Sequence, residues 1–366
     1  MSRIMIAPNK YIQGPDLIKE TGEYISYLGE KVFLICGSNA LNTIETSVAS
    51  SLESKSIKYR FELFSGECSR AAASELAEKA REFGADIIAG AGGGKAIDTA
   101  KAVFHELDAT LVIIPTVASN DAPCSALSVQ YNDDHTIDRF LLLKRNPDVV
   151  LVDSNIIANS PPRFFSAGMG DALATWFEAY SCSKSGAKNI SGTVPTSAAL
   201  SLARLCHDIL MEYGYEARMA VEQKKVTTAL EKVIEANILL SGLGFESGGV
   251  AAAHGIQDGI HTLKGTENAL HGEMVALGTI AQLVLEKYPK DEIGKVIAFC
   301  KSVGLPVALR QVGVTDLSGD NLMKAAEVSC AEGLPTHNSF AEVNPETILK
   351  SLIEANALGE ECLKSI

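Results

Sequence analysis

No stretch of this 366-residue chain approaches the length of a membrane span, and its opening, Met-Ser-Arg-Ile-Met-Ile-Ala-Pro-Asn-Lys, has too short an apolar run for a secretory signal. It also has no Lys/Arg cluster, and its net charge is −13. Nucleic acid and an anionic membrane surface are therefore poor main partners, and a small uncharged ligand suits the chain better. The eight cysteines, Cys36, Cys68, Cys124, Cys182, Cys206, Cys300, Cys330 and Cys362, never form a Cys-x-x-Cys pair. Several sit within apolar segments where a reduced thiol packs as a small hydrophobe, so they read as free thiols of a reducing, cytoplasmic compartment. Internal repeats and low-complexity segments are missing as well. So are the two standard glycine templates: Gly-x-Gly-x-x-Gly opening a first βα unit, and the Lys-Ser/Thr ending of a P-loop.

What the chain does have is Asp86-Ile-Ile-Ala-Gly-Ala-Gly-Gly-Gly-Lys95, an apolar strand running into glycines and then directly into the helical pattern Ala-Ile-Asp-Thr-Ala-Lys-Ala102. Gly90, Gly92, Gly93 and Gly94 permit positive φ and close backbone approach, while the N–H groups and positive dipole end of the following helix favour an anion. A nucleotide phosphate is the first ligand to consider. An ordinary strand-to-helix turn, with Lys95 exposed and Asp98 complementing the helix dipole, accounts for the same residues. The run alone leaves both readings open.

A chain of this length exceeds what one hydrophobic core organises, which predicts two domains. Strand-like runs at 32–36, 59–64, 86–89, 110–115 and 149–153 alternate with helical patterns at 69–83 and 95–107, the signature of a mostly parallel, helix-covered sheet. Residues 126–143 read as a hairpin turning at Asn132, Asp133 and Asp134. Beyond Pro161-Pro162 the β-branched runs nearly vanish and Ala, Leu, Glu and Lys recur at helical spacing, with breaks expected at 186–195, 242–249 and 265–268. The expected organisation is an α/β domain over 1–160 and an all-α domain over 161–366, with the cleft between them as the default site. The slightly positive mean hydropathy, +0.12, suggests apolar surface buried between subunits.

Three residues of the helical half stand in apolar or small-residue surroundings: Asp171, His254 and His271. Buried groups of this kind need partners to offset desolvation, and a shared divalent cation would supply one. Asp171 as a helix cap and each histidine as a hydrogen-bonded core residue are the plainer alternatives. There is no local His-x-x-x-His pattern. His261, two helical turns beyond His254, and His337 are rival ligands that spacing does not eliminate.

The chain resembles the glycerol dehydrogenases of the iron-containing alcohol dehydrogenase superfamily over essentially its whole length. The residues that carry the resemblance are Lys10-Tyr-Ile-Gln-Gly14, Gly92-Gly-Gly-Lys-Ala-Ile-Asp-Thr-Ala-Lys101, Pro115-Thr-Val-Ala-Ser-Asn-Asp-Ala-Pro-Cys-Ser-Ala-Leu-Ser128, Gly170-Asp-Ala-Leu-Ala-Thr-Trp-Phe-Glu-Ala179, Gly244-Phe-Glu-Ser-Gly-Gly249 with Ala253-His254, and His271-Gly-Glu273. It implies a dehydroquinate synthase-like architecture, with an N-terminal dinucleotide-binding α/β domain and a C-terminal all-α domain. It also implies a catalytic zinc on Asp171, His254 and His271. Thr175 stands where iron-dependent relatives carry a fourth, histidine ligand, which favours zinc. By the same resemblance Gly92, Gly93, Gly94, Lys95 and Asp98 meet the cofactor pyrophosphate, Thr116, Ser119, Ser125, Leu127 and Tyr131 line the rest of the cofactor site, and Asp121 meets a substrate hydroxyl.

The implied activity is reversible oxidation of glycerol or a related vicinal diol, giving dihydroxyacetone or the matching hydroxyketone, with hydride passing from a zinc-bound alkoxide to the nicotinamide of NAD. One position departs from the pattern. Where family members carry an aspartate for the adenosine ribose, this chain has Gly37, so nothing there repels a 2′-phosphate. No arginine follows to hold one either, so NAD stays first and NADP open. A polyol-phosphate dehydrogenase would need cationic side chains that the motifs around Asp121, Asp171 and His271 do not offer. A lyase resembling dehydroquinate synthase would give no net NADH. A homo-oligomer, in octameric form, is the assembly the resemblance implies.

Overall fold

The computed structural model describes residues 2–132 and 136–364; Asp133 and Asp134 of the expected hairpin turn lie outside the described residues. The chain divides into two compact units. One comprises Ile6–Pro161 and Ala220–Gly242; the other comprises Pro162–Met219 and Leu243–Ile366, together with residues 2–5.

The first unit is built on a parallel sheet of six strands: β1 (Lys10–Gly14), β2 (Lys31–Cys36), β3 (Lys58–Leu63), β4 (Ile87–Gly92), β5 (Thr110–Pro115) and β8 (Val149–Asp153), in the order β1-β8-β5-β4-β2-β3. Two further strands, β6 (Leu127–Tyr131) and β7 (Ile137–Leu142), form the expected antiparallel hairpin. Helices α1 (Thr21–Ile25), α2 (Ser38–Ser54), α3 (Arg70–Phe83), α4 (Gly94–His105), α5 (Ser154–Ala158) and α8 (Thr228–Glu235) also belong to this unit. On one face of the sheet, Val32, Leu34, Ala89 and Ala91 pack with Ile44, Val48 and Leu52 of α2. On the other face α4 comes so close that a Cβ at Gly90 would lie 2.6 Å from the Ala100 Cβ. Burial on both faces is why the central strands read as unbroken apolar runs instead of alternating ones. Strand β1, a half-exposed edge strand paired with β8, gave no such signal because Tyr11 and Ile12 are its only apolar residues and do not alternate as Tyr59, Phe61 and Leu63 do in β3.

The second unit is helical: α6 (Pro162–Ser185), α7 (Ser197–Glu222), α9 (Ser241–Gly248), α10 (Ala252–His261), α11 (His271–Leu285), α12 (Lys290–Ser302), α13 (Gly319–Ser329) and α14 (Pro345–Lys364), of which α7 and α9 each begin or end in the first unit. None of the helices among the described residues is long and apolar enough to cross a membrane. The expected breaks at 186–195 and 265–268 fall between helices, but the one at 242–249 is corrected: the chain stays helical through Gly248. Gly244 and Gly248 face α6 at close range, since a Cβ at Gly248 would lie 2.7 Å from the Ala179 Cβ and one at Gly244 would collide with Thr175. Each helical glycine costs about 1 kcal/mol of propensity. Close helix approach offsets that cost.

The same device sets the crossing of α6 and α11, where a Cβ at Gly170 would collide with the Gly272 carbonyl and one at Gly272 with the Ala167 carbonyl. Gly170→Ala should therefore destabilise the fold by at least about 1–3 kcal/mol, the cost of overpacking a tight contact. Chemical denaturation checks this, and an unchanged midpoint would show that the two helices separate freely.

Candidate functional site

Asp171 sits mid-way along α6 and is buried, as are the residues on either side of it. Two helices of the same unit begin beside it: His254 is the third residue of α10, and His271 the first of α11. The Asp171 Oδ1 lies 3.4 Å from His254 Nε2 and 3.3 Å from His271 Nε2. One ligand atom from each of the three residues lies within 4.8 Å of the others. Tetrahedral ligation at bond lengths near 2.0–2.1 Å separates neighbouring ligand atoms by about 3.3 Å. The oxygen–nitrogen spacings therefore match the edges of a zinc tetrahedron, and the donor set of one carboxylate and two imidazoles fits a divalent ion with a position left open.

The local sequence explains how the three converge. Gly170 and Gly272 let α6 and α11 approach until Asp171 and His271 are neighbours. The first turn of α11 is then clamped by Arg163, whose Nε and NH2 groups donate to the two Glu273 oxygens at 2.6 and 2.7 Å and whose NH2 also donates to the Asn268 carbonyl at 2.8 Å. Burial alone would raise the Asp171 pKa, but the His271 and His254 imidazoles hold the carboxyl well below the usual carboxylate range. For His254 burial opposes the charged ring, yet Glu178 and Asp171 together raise its pKa well above the ordinary histidine value.

Of the rival histidines, His261 is exposed at the far end of α10, and exposed His337 has its Nε2 3.0 Å from the Cys330 carbonyl. Neither joins the cluster among the described residues. Thr175, one turn after Asp171 on α6, is buried and has no nitrogen or carboxylate donor to offer.

In the sheet-bearing unit, strand order reverses between β2 and β4, the switch point at whose carboxyl ends ligands of doubly wound sheets collect. Both strand ends there run directly into helices. Gly37 is the residue before α2, and its N–H donates to the Ala91 carbonyl at 3.2 Å. Gly92, Gly93 and Gly94 make the turn from β4 into α4. Of the four glycines read as a phosphate turn, only Gly92 has positive φ, at 144°. Gly90 lies inside β4 and is required by the approach of Ala100, and a Cβ on Gly94 would lie 2.9 Å from Asn120 Nδ2.

Lys95 is exposed and ion-paired with Glu67. Asp98 is buried further along α4, and its carbonyl accepts from Ser128 Oγ at 2.9 Å. Thr116 follows β5 and donates its N–H to the Gly92 carbonyl at 3.1 Å, which brings it beside the glycine turn. Ser119 is half-buried in the loop beyond. Ser125 Oγ accepts from Lys101 Nζ at 2.9 Å, and the Leu127 carbonyl accepts from the same ammonium at 2.7 Å. Tyr131, at the end of β6, donates its N–H to the Cys68 carbonyl at 2.8 Å. Asp121 Oδ2 accepts a 2.6 Å hydrogen bond from Ser241 Oγ.

Several residues of these sites were not singled out from the sequence. Glu178, fully buried seven residues after Asp171 on α6, lies 2.6 Å from His254 Nδ1; its signal was a lone carboxylate two turns along an apolar helix. Lys101, fully buried, holds the Ala122, Ser125 and Leu127 positions together from beneath. Ser241 and Asn237, whose Nδ2 donates to the Ala118 carbonyl at 3.2 Å, lie at and just beyond the π-helical turn Ala236–Leu240. Such turns frequently mark functional positions, but nothing in residues 236–240 announces one.

A sequence profile of the iron-containing alcohol dehydrogenase family matches residues 8–154. A glycerol dehydrogenase of Escherichia coli O6:H1 is 44% identical over 364 residues, covering 100% of this chain and 99% of that protein. A glycolaldehyde reductase of Halobacterium salinarum is 41% identical over 359 residues, covering 98% of each. Among solved structures, a probable glycerol dehydrogenase from Sinorhizobium meliloti superposes with a TM-score of 0.93 at 39% identity, covering 99% of this chain and 100% of that one.

The raised pKa of His254 has a defined pH consequence. In metal-free protein the stabilisation from its charged ring is present in full below about pH 6.5, the unfolded value, and is lost as pH rises through the raised folded value. A divalent ion needs the deprotonated ring, so its affinity should climb across the same window. Relative to His254→Asn, chelator-treated protein should lose stability with rising pH, by at most about 1.4 kcal/mol per pH unit. Denaturation at several pH values checks the sign, and a rise instead of a fall would contradict it.

Proposed function

The chain belongs to the iron-containing alcohol dehydrogenase family, and from that premise we propose that it is a zinc-dependent, NAD-linked oxidoreductase that interconverts glycerol or a related vicinal diol with the corresponding hydroxyketone. The observation that carries this reading is the Asp171–His254–His271 cluster, with oxygen–nitrogen spacings of 3.3 and 3.4 Å, in a chain 44% identical to a glycerol dehydrogenase.

Asp171, His254 and His271 would hold the ion. When bound, it would supply Lewis acidity that makes a hydroxyl near neutrality a better proton donor. Three protein donors and the absence of a nitrogen at Thr175 support zinc over iron. The remaining roles fall to the chain itself. The Gly92–Gly94 turn and the first N–H groups of α4 would take the dinucleotide pyrophosphate, with Thr116 beside it. Asp121, its carboxylate held by Ser241, would accept a hydrogen bond from a diol hydroxyl and orient the carbon to be oxidised. When bound, the nicotinamide would supply the hydride acceptor for that carbon, and the hydroxyl proton would pass to solvent. Similarity to a glycolaldehyde reductase supports a second reading of the same chemistry, reduction of an α-hydroxyaldehyde.

Initial rates of NAD reduction with glycerol test the assignment: protein as isolated, after chelation, and after zinc add-back, with NADP in parallel. Glycerol-dependent NADH formation that chelation abolishes and zinc restores is the expected result. Turnover of glycolaldehyde with NADH but none of glycerol would select the second reading, and no turnover with either cofactor in zinc-loaded protein would reject both.

Gly37 sets the cofactor prediction. A Cβ there would meet nothing within 4 Å, and its φ of −66° suits any residue, so an aspartate can enter without strain. A charge-assisted hydrogen bond is worth about 1.5–3 kcal/mol. Gly37→Asp should raise the NAD-over-NADP ratio of kcat/KM about tenfold or more. An unchanged ratio would mean that the adenosine ribose does not lie at this turn.

A further inference from the structure

Glu178 is fully buried on α6, yet it lies outside the set of residues that can touch a metal ion. Its two oxygens face different tasks. Oε1 accepts the backbone N–H of Ala251 at 2.9 Å and that of His254 at 3.0 Å, and so caps α10, whose Ala251 N-cap has no side chain able to do so. Oε2 lies 2.6 Å from His254 Nδ1. A carboxylate has no proton to give in this contact, so the imidazole donates from Nδ1. The neutral ring then carries its lone pair on Nε2, the atom that faces Asp171 Oδ1 at 3.4 Å.

Resting on the metal reading above, we propose that Glu178 is the positioning residue of the centre: by accepting from His254 Nδ1 it fixes the tautomer and ring orientation that make Nε2 a metal ligand. Partners of this kind tighten metal binding about 10–100-fold. The geometry also offers a way to separate this role from the capping role. In Glu178→Gln the amide oxygen can still accept the two α10 N–H groups, because turning the amide round would set its NH2 against both donors. The NH2 group then faces His254 Nδ1 and forces that atom to become an acceptor. The ring proton moves to Nε2, where it blocks the metal. The side chain keeps its size and the cap its hydrogen bonds, while the ligand acquires the wrong tautomer.

The test is zinc titration of chelator-stripped protein in competition with a chromophoric chelator, for the unaltered chain, Glu178→Gln and Asp171→Ala, with thermal melting of each stripped protein. Zinc binding by the unaltered chain that Asp171→Ala abolishes would support the metal reading on its own. The proposal then expects Glu178→Gln to raise the zinc Kd about 10–100-fold while the stripped variant, its melting temperature lowered by loss of the Glu178–His254 ion pair, still unfolds in one cooperative transition. An unchanged Kd in Glu178→Gln would overturn the proposal and leave the metal reading standing. A weaker Kd accompanied by loss of that cooperative transition would also overturn it, assigning Glu178 to the cap alone. If the unaltered chain binds no zinc, the metal reading falls and the proposal with it.

Discussion

The helical unit is organised around two carboxylates that α6 carries into its interior, Asp171 and Glu178, both almost wholly removed from solvent. Each buried charge costs several kcal/mol of desolvation unless something of opposite sign or a strong donor meets it. The compensation is local and comes from three directions. His271 approaches Asp171 from the start of α11, His254 stands between the two carboxylates, and the first turn of α10 gives Glu178 two backbone N–H groups. Removing either acid would strand groups that the rest of the unit has placed for it. The packing of α6, α10 and α11 and the candidate site are therefore one arrangement seen at two scales.

That arrangement depends on glycine in the way a packed core depends on volume. Gly170 and Gly272 stand next to Asp171 and His271 in sequence, and each has a backbone carbonyl of the other helix where a side chain would be. The helices can meet closely enough for a 3.3 Å oxygen–nitrogen contact only because neither carries a Cβ at the crossing. In the sheet-bearing unit glycine does different work at the switch point. There Gly92 takes a positive φ and Gly90 admits α4, so that a helix N-terminus follows the strand without a gap.

The parallel sheet was legible in the sequence because its central strands are buried on both faces and show as continuous apolar runs, while the edge strand β1, half-exposed, left no such trace. The glycine turn was legible as a turn, but which glycine needed positive φ was not, since composition does not distinguish conformational need from close approach. The glycines of α9 were misread as a break for the same reason: a Cβ at Gly244 collides only because Thr175 lies opposite, and that neighbour is 69 residues away in the chain. Asp171, His254 and His271 could be picked out one by one as polar residues in apolar company. Only the fold chooses them over His261 and His337, because the choice turns on which helix ends converge. Glu178, Lys101 and Ser241 escaped because each acts through a partner distant in sequence.

The charge count around Asp171 ties these observations to chemistry. Two carboxylates carry two negative charges, and two neutral imidazoles carry none, so the cluster as assembled is short of two positive charges around carboxylates that are themselves cut off from water, although His271 is exposed. A proton on His254 makes up part of the deficit, which is what its raised pKa expresses. A divalent cation would make up the whole deficit, on the reading that it takes the two Nε2 atoms and the Asp171 oxygen. On that reading proton and metal would be alternative ways of offsetting one electrostatic deficit. A histidine in place of Thr175 would add a fourth donor without changing the sum of charges, so position 175 bears on the number of donors and not on the charge deficit.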